Sequence, residues 1–278
     1  MDAFICTACG TQYPPADRAP PACPICADSR QYIPVSGQHW TTLAELRCGH
    51  HNYYRRLAPE LYAIATQPKV GIGQRALLLR TPGGNVLWDC ISLLDDATAD
   101  IIHALGGLAA VAISHPHYYT TMVEWARAFD CPVWLHEDDR AWVMRPDAAL
   151  RFWSGDAATL EGLTGNLRLV RLGGHFEGGT VLHWPDGAGG RGALLSGDIL
   201  QVAADRRHVS FMWSYPNYLP LPAATVRRMA ARLAPFGFDA VYGAFWDAEI
   251  TEGGKAAVAA SFRRYLALLE RGTLDDAP

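Results

Sequence analysis

Lysine, clustered positive charge and long apolar runs are all scarce in this sequence of 278 residues. Lys69 and Lys255 are the only lysines, and the arginines are scattered along the chain rather than gathered into a basic block. A surface that follows a phosphate backbone needs clustered positive charge, so we do not expect a nucleic-acid partner. No stretch approaches the roughly 18 consecutive apolar residues of a membrane-spanning helix, so we do not expect a membrane protein.

Charged residues are also few, at 19% of the chain, whereas 50% of the residues are hydrophobic. That balance is typical of a globular protein with a sizeable core. The first residues lack the basic run and apolar stretch of a secretory signal, so we expect a cytoplasmic protein. In that compartment the seven cysteines favour metal ligands or buried thiols over disulfides.

Four of these cysteines form two Cys-x-x-Cys pairs near the start of the chain, and they are Cys6, Cys9, Cys23 and Cys26. Four thiolates at this spacing can surround one zinc ion tetrahedrally at about 2.3 Å. The pairs resemble those of rubredoxin-like zinc ribbons, which hold zinc or iron. Zinc binding to such a site contributes on the order of 10 kcal/mol to folding. We therefore predict a zinc ribbon over residues 1–35 with a structural ion, and a role in folding rather than in chemistry.

The remainder of the chain divides into a linker at residues 36–59, with Cys48, His50 and His51 in a solvated loop, and one large domain at residues 60–278. In that domain short apolar strands alternate with longer helical patterns, which indicates a mixed α/β (α+β) protein with layered sheets. The predicted strands are Leu61–Ala65, Gln74–Arg80, Asn85–Asp89, Ala109–Ser114, Pro132–Leu135, Leu167–Leu172, Thr180–Trp184, Gly192–Ser196 and Ala240–Tyr242. The predicted helices are Ala97–Leu105, Met122–Phe129, Ala223–Leu233 and Lys255–Glu270.

Three histidines and one aspartate follow apolar strands of this domain. His115 and His117 come directly after one strand, His175 stands in a Gly-Gly-His sequence after another, and Asp198 ends a Ser-Gly-Asp sequence. Imidazole and carboxylate are ligands of zinc and iron, and two histidines one residue apart can bind the same ion. We therefore predict a metal site at these strand ends. Isolated histidines are more often structural, and we interpret five in that way: His39, His103, His136, His183 and His208.

The order His-x-His, Gly-Gly-His and Ser-Gly-Asp resembles that of the metallo-β-lactamase superfamily over residues 60–270. The resemblance implies an αββα sandwich with a metal site along one edge of its two sheets, and an aspartate, Asp89, that braces the ligand loops. The sequence departs from the superfamily motif His-x-His-x-Asp-His, because Tyr119 and Thr120 stand at its last two positions. The superfamily's final histidine is also missing from residues 242–246. We therefore expect a mononuclear site, with zinc or iron held by His115, His117, His175 and Asp198.

Three functions are compatible with such a site. The first is hydrolysis of a small ester, lactone or amide, in which Asp198, Tyr118 and Tyr119 are the candidate catalytic residues. The second is non-haem iron oxygenase chemistry, because two histidines and a carboxylate form the facial triad of that class and the ribbon could supply electrons. The third is a non-catalytic metal-binding or ligand-binding protein. Hydrolysis is the leading hypothesis because it is the commonest activity of the fold. The aromatic stretch at residues 211–218 either covers the core or walls the substrate pocket.

Overall fold

A small antiparallel sheet and a short helix form the N-terminal region of the computed structural model, which describes residues 1–160 and 166–270. The strand order is β2-β1-β3. Its elements are β1 (Asp2–Cys6), β2 (Gln12–Ala16), α1 (Pro24–Ala27) and β3 (Trp40–Thr41). Helix α2 (Leu43–Gly49) follows and begins with a capping box, in which Thr42 and Glu45 satisfy each other's backbone N–H groups.

A seven-stranded sheet comes next in the chain, with the order β10-β9-β8-β7-β6-β5-β4. Its strands are β4 (His51–Ala58), β5 (Leu61–Gln67), β6 (Ala76–Leu79), β7 (Val86–Trp88), β8 (Ala110–Ala112), β9 (Val133–His136) and β10 (Leu150–Trp153). The strands from β4 to β7 pair antiparallel, and those from β7 to β10 pair parallel.

The second half of the chain forms a six-stranded sheet and two small hairpins. Its strands are β11 (Ala157–Thr159), β12 (Arg168–Arg171), β13 (Thr180–Trp184), β14 (Ala193–Gly197), β15 (Gln201–Val202), β16 (Val209–Ser210), β17 (Met212–Ser214), β18 (Leu219–Pro220), β19 (Ala240–Gly243) and β20 (Glu249–Ile250). The large sheet has the order β11-β12-β13-β14-β19-β20, while β15 pairs with β16 and β17 with β18. The parallel pair β14–β19 is joined through helix α6, a crossover that parallel strands require.

The remaining helices are α3 (Asp96–Ala104), α4 (Met122–Phe129), the one-turn α5 (Gly187–Gly190), α6 (Ala223–Leu233) and α7 (Gly254–Glu270). Asp95 caps α3 by accepting a hydrogen bond from the Thr98 N–H. Within the described part of the chain, none of the helices combines the length and the hydrophobicity needed to cross a membrane.

Strand β6 shows how the layers form. Leu77 and Leu79 point into the core between the two large sheets, whereas Ala76 and Leu78 point into the core beneath α3 and α4. Successive side chains of a strand alternate between its faces, so an apolar run buried on both faces must lie inside a sandwich. Helices α6 and α7 cover the outer face of the second sheet in the same way. The architecture is therefore the αββα sandwich that the sequence predicted.

Residues 36–59 are not a linker, and this expectation is corrected by the structure. They contain β3, which completes the ribbon sheet, then α2, then β4, which is the edge strand of the seven-stranded sheet. Cys48 and His51 accordingly lie in a helix and a strand rather than in a solvated loop. Most side chains of β4 are exposed or half-buried, so this edge strand carries no clear apolar alternation.

The ribbon is docked against the large domain through backbone contacts. The Gln12 N–H donates to the Thr120 carbonyl at 3.1 Å, and the Ser92 hydroxyl donates to the Gly10 carbonyl at 3.1 Å. Gly71, whose φ is +59°, packs so closely that a Cβ there would lie 2.8 Å from the Cys9 carbonyl carbon. A residue without a side chain is required at such a contact. The ribbon is thus a fixed part of the fold.

Candidate metal centre

Three strand ends bring the four predicted ligands together. His115 and His117 follow β8 on a turn of 3-10 helix, His175 follows β12, and Asp198 follows β14. The loop after β8 is braced as expected, because Asp89 accepts a hydrogen bond from the Ser114 N–H at 2.8 Å.

The bracing extends across both sheets. The Ser114 carbonyl accepts from the Thr180 N–H at 2.9 Å, which ties the histidine loop to the second sheet. At Gly197, with φ of +55°, a Cβ would lie 2.6 Å from the Ser114 hydroxyl oxygen. Glycine before Asp198 therefore lets the two ligand loops approach each other.

The three imidazoles converge on one point. The donor atoms of His115, His117 and His175 all lie within 4.8 Å of one another, and His175 Nε2 is 3.1 Å from His117 Nδ1. Two ligands of a tetrahedral ion bound at about 2.0 Å are separated by about 3.3 Å, so this spacing suits a shared metal ion. Asp198 does not belong to this group of three, although its Oδ1 lies 3.2 Å from His115 Nε2.

The arrangement of the donor atoms suits a shared cation better than hydrogen bonds among these atoms. His115 Nε2 and Asp198 Oδ1 are both buried, and neither has a hydrogen-bond partner among the described residues despite their 3.2 Å separation. Buried polar atoms without partners are costly, and a shared metal ion would satisfy both. The residues present therefore fit a metal ion held by three histidines, with Asp198 beside it.

Neighbouring groups set the orientation and protonation of the rings. His175 Nδ1 lies 2.7 Å from the Trp213 carbonyl, to which it donates, and this leaves Nε2 free as a ligand. His115 Nδ1 lies 2.9 Å from the Ser114 hydroxyl. Burial lowers the pKa of His175 and lowers the pKa values of His115 and His117 well below their usual range. All three are therefore neutral at pH 7, as metal binding requires.

The two tyrosines predicted as catalytic residues have different surroundings. Tyr118 is fully buried, its ring centroid is 4.4 Å from that of His115, and its hydroxyl faces Asp198. Tyr119 is buried in the core beneath α4, and the charge that most affects it is Asp139. Within the described residues Tyr119 makes no hydrogen bond or ring contact with the three histidines or with Asp198. The structure brings Tyr118 to the site and not Tyr119.

Thr120 has a structural role. Its carbonyl receives the Gln12 N–H, and a side chain at Gly10 would begin 3.4 Å from its methyl group. The position that carries a metal ligand in the superfamily motif therefore contacts the ribbon in this chain.

The centre borders a pocket of about 410 Å³. The lining residues from the large domain include His117, His175, Asp198, Lys69 and Gly71, and those from the ribbon region are Ala8, Gln31 and Tyr32. The Gln31 Nε2 lies 3.3 Å from His117 Nδ1. The sequence offered no sign of this contribution, because the residues between Cys26 and β3 follow no spacing rule.

The aromatic stretch at residues 211–218 contributes both to the core and to the wall of the pocket. Phe211 is buried and stacks on Phe262 with ring centroids 4.4 Å apart, so it belongs to the core. Tyr215 lines the pocket, and its hydroxyl donates to the Asp198 carbonyl at 2.8 Å. Of the five histidines interpreted as structural, His136 and His183 each contact a backbone carbonyl, that of Gly155 and that of Gly237 respectively.

The second cluster is the set of four ribbon cysteines. Cys6 Sγ lies 3.5 Å from Cys26 Sγ, and Cys9 Sγ lies 3.6 Å from Cys23 Sγ. Four sulfurs bound tetrahedrally at about 2.3 Å would be about 3.8 Å apart. Gln38 Nε2 donates to Cys6 Sγ at 3.0 Å, as expected for a thiolate acceptor. This cluster fits one structural metal ion.

Known proteins are similar to this chain in sequence and in fold. No protein-family model matches it. A protein of Bacillus subtilis (strain 168) named YmaE, described as uncharacterized, is 48% identical over 271 residues, which are 97% of each chain.

Solved structures of metallo-β-lactamases share the fold. DIM-1 matches with a TM-score of 0.56 and 13% identity, over 80% of this chain and 99% of its own. FIM-1 from Pseudomonas aeruginosa, solved in a mono-zinc form, matches with a TM-score of 0.53 and 14% identity, over 80% of this chain and 96% of its own.

Proposed function

We propose that this chain, which belongs to the family of the B. subtilis protein YmaE and has the metallo-β-lactamase fold, is a hydrolase with one metal ion in its active site. His115, His117 and His175 would hold that ion, with Asp198 beside it. The second ion of a two-metal site is not expected, because Tyr119 lies in the core and Thr120 contacts the ribbon. The proposal is supported above all by one observation: three imidazoles converge beside the carboxylate of Asp198, and two of them, those of His117 and His175, line a pocket together with Asp198.

A zinc ion held by His115, His117 and His175 would lower the pKa of a bound water molecule to about 7 and would polarise a carbonyl group. We assign proton transfer to Asp198. Burial raises the pKa of its carboxyl group, which brings that group closer to the pH at which it exchanges protons efficiently. Tyr118 faces Asp198 and lowers the pKa of that carboxyl in turn. Burial also raises the pKa of Tyr118 well above 10, so its hydroxyl can donate a hydrogen bond and orient the carboxylate but cannot act as a base.

The size and chemistry of the pocket support a small-molecule substrate. A volume of about 410 Å³ suits a small molecule. Its wall includes the side chains of Ile72, Phe245 and Pro216, so apolar surface surrounds a few polar groups. We propose a small ester, lactone or amide as the substrate.

The test combines metal analysis with activity. Protein purified without added metal should contain one ion in the histidine site besides the ribbon ion, and it should hydrolyse a member of a panel of simple esters, lactones and amides. His175→Ala should lose both the ion of the histidine site and the activity. Thr120→Ala should keep the ion of the histidine site. A wild-type protein with two ions in the histidine site would contradict the mononuclear proposal, and a metal-loaded protein inactive on every ester, lactone and amide would contradict the hydrolase.

A redox enzyme is the second candidate, because the two metal clusters share a wall. Ala8 lies between Cys6 and Cys9 and lines the pocket, and the pocket residue Gly71 touches the Cys9 backbone. Iron in both clusters, together with a ribbon that can be reduced and reoxidised, would favour this candidate. Zinc in both clusters would exclude it.

We also propose that the protein works in a reducing compartment, the cytoplasm. All seven cysteines lie in the described part of the chain, none of them forms a disulfide, and six of them are buried. Buried free thiols and a four-cysteine metal cluster are typical of proteins kept reduced. Purification under non-reducing conditions should then leave the intact protein without disulfides.

A further inference from the structure

The ribbon extends a loop, residues 28–32, into the wall of the histidine site. Gln31 and Tyr32 of this loop line the pocket beside His117, His175 and Asp198. Because the loop follows Cys26 directly, the structural metal cluster and the catalytic pocket share one short segment of chain. A purely structural ribbon would not need to reach the pocket.

The backbone of this loop is held on both sides. The Gln31 N–H donates to the Asp28 carbonyl at 2.9 Å within the loop. From the large domain, Asn217 Nδ2 donates to the carbonyls of Gln31 and Ser29, at 3.0 Å and 2.8 Å. The Ser214 hydroxyl donates to the next carbonyl, that of Arg30, at 3.0 Å. Three successive carbonyls are thus anchored to the stretch that also contributes Tyr215.

The side chain of Arg30 adds a second anchor. Its guanidinium lies 3.9 Å from the centroid of the Phe176 ring and pairs with Asp28 through two hydrogen bonds, of 2.6 Å and 3.0 Å. It also donates to the carbonyl of His175 at 3.3 Å. Cation–π contact and a bidentate ion pair define the position of an arginine well. The loop that presents Gln31 is therefore tied to a residue of the metal site itself.

The amide of Gln31 ends beside a ligand atom. Its Nε2 lies 3.3 Å from His117 Nδ1. Once His117 Nδ1 binds a metal ion it can no longer accept a hydrogen bond, so the amide must find another acceptor in the pocket. The oxygen of a substrate bound next to the ion is such an acceptor.

We infer that Gln31 donates a hydrogen bond to the carbonyl oxygen of the substrate and stabilises the negative charge that this oxygen gains during hydrolysis. This inference rests on the proposed hydrolase function. Attack of the water oxygen forms a bond to the carbonyl carbon and moves the π electron pair onto the carbonyl oxygen, which then accepts a stronger hydrogen bond from the Gln31 amide. When the carbonyl re-forms, the bond to the leaving group breaks, and that group takes the proton that Asp198 removed from water. A neutral amide from the ribbon thereby stabilises the negative charge on the carbonyl oxygen.

Cobalt and acetate test this assignment without any substrate. Protein that keeps its ribbon metal is loaded with cobalt at the histidine site, and acetate, whose carboxylate represents the charged oxygen, is titrated against the cobalt absorption spectrum. Gln31→Ala should bind cobalt as tightly as the wild type but should bind acetate about ten- to a hundredfold more weakly, the loss expected for a hydrogen bond to a charged group. Ser29→Ala serves as the matched control, because Ser29 is an exposed residue of the same loop that does not line the pocket, and the acetate affinity of this variant should equal that of the wild type.

The Gln31→Glu variant distinguishes two roles of Gln31, that of a hydrogen-bond donor and that of a metal ligand. If Gln31 is a donor, the carboxylate should repel acetate and weaken its binding at least as much as Gln31→Ala does. If Gln31 instead binds the ion through its oxygen, Gln31→Ala should lose cobalt affinity and Gln31→Glu should retain it, and the inference is wrong. Equal acetate affinity in wild type and Gln31→Ala would also overturn it while leaving the proposed hydrolase intact. Failure of cobalt to bind at the histidines would overturn both.

Discussion

The two metal clusters of this chain differ in one decisive respect, which is whether all of the ligand positions are supplied by the protein. The four ribbon sulfurs lie close together in the protein interior, and every cysteine of the cluster is at most 2% exposed. The three histidines border a pocket, where Asp198 Oδ1 lies 3.2 Å from His115 Nε2 and Gln31 Nε2 lies 3.3 Å from His117 Nδ1. A closed four-ligand site is typical of structural zinc and an open three-ligand site of catalytic zinc.

This difference indicates that the two clusters have separate roles within one continuous structure. The ribbon cluster determines where the loop at residues 28–32 lies, and the histidine cluster uses what that loop presents. Substitutions in the closed four-cysteine site should therefore impair folding, whereas substitutions in the open histidine site should impair the reaction. Four experiments can break or sharpen this distinction.

Loss of the ribbon ion should have the largest effect. The double variant Cys23→Ser with Cys26→Ser should lose one metal ion per chain, and with it a share of the roughly 10 kcal/mol that zinc binding contributes to such a fold. The melting temperature should fall, and the pocket should lose its ribbon wall. Cys48→Ser is the control, because Cys48 is exposed and lies outside both clusters. Unchanged metal content in the double variant would show that the four cysteines are not ligands.

Asp198→Asn should separate chemistry from folding. The amide keeps the shape of the side chain but cannot accept a proton, so kcat for the substrate identified in the panel should fall by about a hundredfold or more. The ribbon ion and the melting temperature should change little. A variant with full turnover would show that Asp198 is neither the base nor a required neighbour of the ion.

Gly71→Ala tests the contact between the two regions. A Cβ at this position would strain a backbone with φ of +59° and overlap the Cys9 backbone, so the free energy of unfolding should fall by about 1–3 kcal/mol. Gly253→Ala provides a matched control, because its φ is +69° but no atom lies within 4 Å of the new methyl group. If urea unfolding shows equal losses in the free energy of unfolding for the two variants, the ribbon contact contributes nothing to stability.

Mild acid should have the smallest effect. Histidines with an ordinary pKa of about 6.5 would be mostly protonated at pH 6.0, and a site made of three of them would bind metal tens of times more weakly there than at pH 7.5. Burial lowers the pKa of all three site histidines. They therefore stay neutral, in the form that binds metal, as the pH falls through 6.5. Metal titrations at the two pH values should differ by less than about twofold, and a loss of ten times or more would contradict the assigned protonation.

Much of the metal chemistry could be predicted from the sequence because the ligands stand in local sequence patterns. Each ligand of the histidine site directly follows an apolar strand, and the cysteines stand in pairs at fixed spacing. Helices α4 and α6 begin and end at the predicted residues, since their apolar residues repeat with a helical period.

Other features depend on contacts between distant residues and could not be predicted. Gln31 meets His117 across 86 positions of the chain, and neither residue type nor spacing indicates that encounter. Strand β4 was missed because an edge strand with half-buried side chains lacks apolar alternation. The choice between Tyr118 and Tyr119 depended on a single turn of 3-10 helix, which directs successive side chains to different sides.

The anchoring of the ribbon loop by Asn217 has a consequence for how the protein is made. Asn217 lies 186 positions after Gln31, so the ribbon leaves the ribosome long before the residue that fixes it has been synthesised. We therefore expect the four cysteines to be available to a metal ion early, whereas the pocket wall can close only after Asn217 has been synthesised. The order of synthesis thus predicts that the ribbon ion is bound first and that the histidine centre is completed last.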